Sequence, residues 1–146
     1  MLANITLLFE RDINKLTEEL MLYKNEETIW KIKEGITNSG GNLTLHLLGN
    51  LNHFIGATLG NTGYIRERDK EFSLKNIPRL QLVEELKKVN SVVKNTLTHL
   101  SDEDLEKNFP VPLNDKTLST SFVLLHLLAH FSYHLGQVNY HRRLIS

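Results

Sequence analysis

Four stretches of this chain carry apolar residues spaced by threes and fours, and strand signals are weak throughout. That periodicity constrains the fold to amphipathic helices that bury one face against each other. The first stretch covers residues 2–23, with Ile5, Leu8, Phe9, Ile13, Leu16, Leu20 and Tyr23 at its apolar positions. The second is expected over about residues 42–59, packing through Leu43, Leu47, Leu48, Leu51, Phe54 and Ile55. The third spans roughly residues 79–100 around Leu82, Val83, Leu86, Val89, Val93 and Leu97. The fourth begins at Ser119 or Ser121 and runs to about Arg143.

Punctuation residues separate these stretches. Asn38-Ser39-Gly40-Gly41-Asn42 and Gly60-Asn61-Thr62-Gly63 are breaks. Asn25-Glu26-Glu27 resembles an N-cap with an acidic first turn, opening a short segment that holds Ile29, Trp30 and Ile32. Ser101 to Asp104 matches a capping box with Asp in place of Glu. Pro110 and Pro112 exclude helix around residues 109–113. With no linker and no repeat, residues 1–146 form one domain, and the fold class is all-α, a four-helix bundle. The connection from Gly60 to Pro78 is long for adjacent antiparallel helices, long enough to let the second and third helices run parallel. Gly49 and Gly56 sit inside the second helix, where each costs about 1 kcal/mol against Ala, so a close backbone approach is expected at both.

Composition removes several function classes. The 17 basic and 17 acidic residues cancel and no Lys/Arg block stands out, which argues against a nucleic-acid surface. There is no cysteine, so disulfides, thiolate-ligated zinc and a protein thiol nucleophile are excluded. The N-terminus lacks a basic leader and a cleavage site, and no apolar run approaches the ~20 residues of a membrane span. The expectation is a cytoplasmic protein with no membrane partner.

The chemistry-bearing residues are histidines. His126, His130 and His134 lie four apart on the fourth helix, one above the other on one face, about 6 Å apart along the axis. No Glu stands between them, so the zinc-protease motif and its base are absent. His46 and His53 lie seven apart on the second helix, nearly on one face, with Asn50 between them. Facing helices of a bundle deliver such side chains into a shared interior, where a metal ion can be held. Each histidine also has an ordinary reading as a half-buried, hydrogen-bonded residue. Gln137, three residues after His134, is placed either to hydrogen-bond a ligand ring or a metal-bound water, or to sit at an interface. The charge run with Arg66, Arg68, Asp69 and Glu71 is either a solvated face or a polar lid over the site. His99 and His141 look peripheral, His99 being suited to a helix C-terminus.

The segment Leu124-Leu-His126-Leu-Leu-Ala-His130-Phe-Ser-Tyr-His134-Leu-Gly136-Gln137 resembles the C-terminal signature of the DinB-like superfamily, in which a His-xxx-His pair precedes Gly-Gln. Thr44-Leu-His46-Leu-Leu-Gly49-Asn50 is similar to that superfamily's second-helix motif. The stretch Gly63 to Phe72 resembles the long connection of an uncharacterised subgroup of the DUF1572 type. The resemblance covers essentially the whole chain. It implies an up-down-down-up bundle, a homodimer, and a divalent metal, zinc or nickel foremost, held by His46, His130 and His134. His53 is the substitute ligand should the register of the second helix differ. Leu135 stands where related sequences often carry Arg. Some members transfer a low-molecular-weight thiol to small electrophiles, so the resemblance implies a metal-dependent transferase with a thiol co-substrate. The alternative is a non-catalytic metal-binding or interaction bundle of the stress-response type.

Overall fold

The structure, a computed structural model, describes residues 1–145. Ile5, Phe9, Ile13, Leu16 and Leu20 are buried along one face of α1 (Leu2–Leu22), as their spacing requires. A 3-10 turn, Glu26–Trp30, carries Ile29 and Trp30 inward. Next comes α2 (Gly40–Leu51), which runs on into a π-helical segment, Asn52–Leu59. Short α3 (Arg68–Ser73) lies within the long connection, and α4 (Arg79–Thr98) follows it. Short α5 (Asp102–Glu106) and long α6 (Thr120–Ile145) complete the chain. Among the described residues there is no strand, only two isolated bridges flanking the turn before α6.

The long helices share one core. Leu82, Leu86, Val89, Val93 and Leu97 of α4 meet the α1 stripe, and Val123, Leu124, Leu127, Phe131 and Val138 of α6 close the other side. Both α1 and α2 pack against α4 and α6. Every α2 residue except Leu45 is buried. No amphipathic pattern accounts for that; small side chains do. A Cβ at Gly41 would lie 2.6 Å from the Trp30 ring, and one at Gly49 would collide with the Glu71 carboxylate. The expected close approach at Gly49 and Gly56 is therefore to side chains, Glu71 at one and Val92 and Thr62 at the other, and not to a neighbouring backbone.

Two local findings differ from the sequence expectation. α2 begins at Gly40, because the Ser39 hydroxyl accepts the Asn42 amide at 3.1 Å and caps the helix there. The helix also widens after Leu51, where the Thr58 hydroxyl donates to the His53 carbonyl five residues back at 3.0 Å and favours the larger turn. Asn25 precedes its 3-10 turn but makes no side-chain cap. The Ser101–Asp104 capping box forms as its sequence predicts.

Asn42 fastens the long connection to the core. Its amide donates to the carbonyls of Glu71 and Leu74, both at 2.9 Å, and its oxygen accepts from Ser39 Oγ at 2.9 Å and Lys75 Nζ at 2.6 Å. Replacing it strands two carbonyls, each worth about 1–3 kcal/mol when left unpaired in the interior. Asn42→Ala is expected to lower urea-measured stability by roughly 2–4 kcal/mol and to speed hydrogen exchange at the α3 amides before those of α1 and α4.

Candidate metal centre

α2 presents His46 and α6 presents His130 and His134, and one ring nitrogen from each lies within 4.8 Å of the others. His46 Nε2 approaches His130 Nε2 to 3.2 Å. Two nitrogens bound to one tetrahedral zinc at 2.0–2.1 Å sit about 3.3 Å apart, so this is the spacing of a ligand pair. The rings meet edge to face, with centroids 5.0 Å apart for His46 and His130, 5.2 Å for His46 and His134, and 4.5 Å for His130 and His134. The i, i+4 offset on α6 stacks the last two, and the packing of α2 against α6 brings in the first.

Their orientation is fixed from behind. Glu71 Oε1 lies 3.0 Å from His46 Nδ1, and a carboxylate can only accept, so the proton sits on Nδ1. The Nε2 lone pair of His46 then points toward His130. Arg66 holds the carboxylate in turn, Nε to Oε2 at 2.9 Å and Nη2 to Oε1 at 3.0 Å. Burial works to raise the Glu71 pKa, but the hydrogen bonds from His46 and Arg66 outweigh it and hold the carboxyl below its ordinary value. His134 is oriented likewise: its Nδ1 lies 2.6 Å from Gln137 Oε1, which leaves Nε2 as the acceptor. Burial first, then the neighbouring imidazoles, push the His130 pKa down to about 4. Desolvation also lowers that of His134. Both rings are thus neutral near pH 7, the state a metal ligand needs.

The donor set therefore fits a transition metal. Three imidazoles converge, and those of His46 and His134 are oriented by partners on Nδ1. His130 Nδ1 is buried with no hydrogen-bond partner among protein atoms, so nothing pins that ring except what its other nitrogen meets. Imidazole nitrogens suit zinc, nickel, copper or iron better than magnesium or calcium. His134 and Gln137 also border a surface cleft of about 450 Å³, together with residues of the 35–38 loop; His46 and His130 do not line it.

The other candidate residues have separate places. His126 is exposed and stacks on Phe122, with centroids 6.3 Å apart and planes 7° from parallel. His53 is half-buried in the π-helical segment, edge-on to Phe54, and is not part of the cluster. Asn50 is buried with its Oδ1 unpartnered. Of the charge run, Arg66 and Glu71 turn inward. Arg68 lies over the Phe72 ring at 5.7 Å, and Asp69 is exposed. His141 is not peripheral: it is 3% exposed, with Nδ1 accepting from the Tyr23 hydroxyl at 2.6 Å and Nε2 donating to the Lys31 carbonyl at 2.8 Å. His99 is exposed at the end of α4, with Nδ1 2.7 Å from the Asn95 carbonyl. The sequence places Glu71 in a charge run read as either a solvated face or a polar lid, and does not reveal it as the partner of His46. Gly49 is the signal that pointed to it, because the carboxylate occupies the space a side chain there would fill.

The family model for proteins of unknown function designated DUF1572 matches residues 3–146, and the chain belongs to that family. No curated protein matches it.

Partners on the far nitrogen of a ligating histidine typically contribute 10–100-fold to metal affinity. Glu71→Gln is expected to weaken zinc binding by about that factor while leaving the far-ultraviolet circular dichroism unchanged. Gly49→Ala should act in the same direction by displacing the carboxylate. Unchanged zinc affinity in Glu71→Gln would remove Glu71 from the account.

Proposed function

We propose that this protein is a divalent-metal-dependent enzyme whose metal is held by His46, His130 and His134 inside a four-helix bundle of up-down-down-up order. Contacts between helix ends support that order. The end of α1 meets the end of α6 through Glu19 and Arg142 at 2.6 Å, and meets the start of α4 through Arg79 and the Met21 carbonyl at 3.3 Å. Gly40, at the start of α2, lies against His141 near the end of α6, and Gly60 lies against Thr96 near the end of α4.

The observation that carries the metal reading is the 3.2 Å approach of His46 Nε2 to His130 Nε2, with Glu71 behind the first ring. Three protein nitrogens leave at least one coordination position open, the mark of a catalytic rather than a structural site. A metal so held supplies a Lewis acid that lowers the pKa of a bound water or thiol toward neutrality. The protein's own part is positional. Glu71 and Gln137 keep protons on the outer nitrogens of His46 and His134, and Leu43 and Leu144 line the cleft that His134 borders. Without cysteine, a sulfur nucleophile has to come from outside the chain. Together with the resemblance to the DinB-like superfamily, this favours transfer of a low-molecular-weight thiol to a small electrophile.

Calorimetric titration of zinc into chelator-stripped protein is expected to give one site per chain. His130→Ala should weaken it by about a hundredfold, and equal binding by parent and variant would contradict the assignment. Thermal melts separate the roles: a catalytic centre on this apolar core loses only a few degrees with chelator, whereas collapse of the fold would mark a structural ion.

A further inference from the structure

Two buried polar atoms on the facing helices α2 and α6 have no hydrogen-bond partner among the described residues: Oδ1 of Asn50 and Nδ1 of His130. A carboxamide oxygen is an acceptor. In a neutral imidazole whose Nε2 offers the lone pair, Nδ1 is a donor. Asn50 is only 8% exposed. Orphans of this kind are few in a folded interior, and each calls for an explanation. Here one donor and one acceptor are left over beside the same histidine cluster.

The register of the two helices puts them at one level. A Cβ at Gly40, where α2 starts, would lie 3.1 Å from His141 Nδ1, near the end of α6. Further along α2, His46 meets the rings of His134 and His130. Residue numbers therefore rise along α2 as they fall along α6. Asn50 stands one turn beyond His46 on the same face of α2, and His130 one turn before His134 on α6. Both steps run the same way along the seam, about 6 Å each. From the contact of His46 with His134 they bring Asn50 level with His130. The other acceptors of the site are taken, Glu71 by His46 and Arg66, and Gln137 by His134.

We propose that Asn50 is the positioning residue of His130: with Nε2 of that ring on a metal ion, the Asn50 carboxamide oxygen accepts the Nδ1 proton, as Glu71 Oε1 and Gln137 Oε1 accept those of His46 and His134. The inference rests on the metal-dependent reading and gives each of its three imidazoles a support. No hydrogen bond joins Asn50 to His130 in the structure, so the pair forms when engagement of Nε2 fixes a ring that its other nitrogen leaves unpinned. A neutral acceptor suits the position. Arg66 already answers the one carboxylate at the site, and a second buried charge would lack a guanidinium of its own.

The test titrates zinc into chelator-stripped full-length parent, Asn50→Leu and Asn50→Asp, and records thermal melts and imidazole 15N spectra with and without zinc. Asn50→Leu is expected to weaken zinc binding about 10–100-fold. Its chelator-treated form should melt no lower than the parent, because leucine removes an unpaired polar group. In the zinc-loaded parent the His130 Nδ1 proton is expected at low field and protected from exchange. Asn50→Leu should lose that signature, and Asn50→Asp, which keeps an acceptor, should retain it. Parental zinc affinity in Asn50→Leu overturns the inference alone. So does an equal loss of stability with and without zinc while the His130 proton stays unmoved, the mark of a purely structural asparagine. An exchange-labile His130 Nδ1 proton in the zinc-loaded parent overturns it whatever the variants do. A parent chain that takes up no zinc overturns the metal reading, and this inference with it.

Discussion

The hydrogen bond between Glu71 and His46 is the interaction on which the rest of the site depends. A carboxylate in the interior of a small helical protein is costly unless its charge is met. Here Arg66 meets it from one side and His46 from the other, both at 2.9–3.0 Å. The same arrangement decides which nitrogen of His46 faces the two histidines of α6. Taking the carboxylate away leaves a half-buried guanidinium without its partner and an imidazole free to turn.

That pairing also shapes the surrounding backbone. Glu71 reaches the α2 surface only because position 49 has no side chain, and α3 is held there by the amide of Asn42. α2 is consequently enclosed on nearly all sides, by the core helices on one and by the connection on the other. A helix with this many small and polar residues would make a poor amphipathic helix alone. Its stability comes from what is packed over it. The two ends of the helix are specialised accordingly: a serine cap and two glycines where Tyr23 and Trp30 crowd in, and a wider turn where it leaves the core.

The helices were legible in the sequence because burial of one face imposes a 3.6-residue period, and α1, α4 and α6 bury the residues that period picks out. His130 and His134 were legible for a similar reason, since i, i+4 spacing is a local property; the same spacing also marked His126, which is exposed on Phe122, and His46 was indicated by the resemblance of its helix rather than by spacing. What was not legible depended on partners far away in the chain. His141 looked peripheral because its hydroxyl partner, Tyr23, is 118 residues away. α3 has few apolar residues and its buried one is an acid, so hydrophobic periodicity carries no trace of its docking. The inward turn of Arg66 and Glu71 within a charge run likewise follows from a void above Gly49 and from Asn42, neither of which a charge pattern records.

The central claim, that imidazoles from two helices close around one ion, is tested most directly by X-ray absorption at the zinc edge of the zinc-loaded protein. The account predicts a first shell fitted by three imidazoles at about 2.0–2.1 Å with their multiple-scattering signature, plus an oxygen or sulfur ligand completing the coordination. A first shell made of oxygen alone, or a spectrum needing no more than one imidazole, would contradict it.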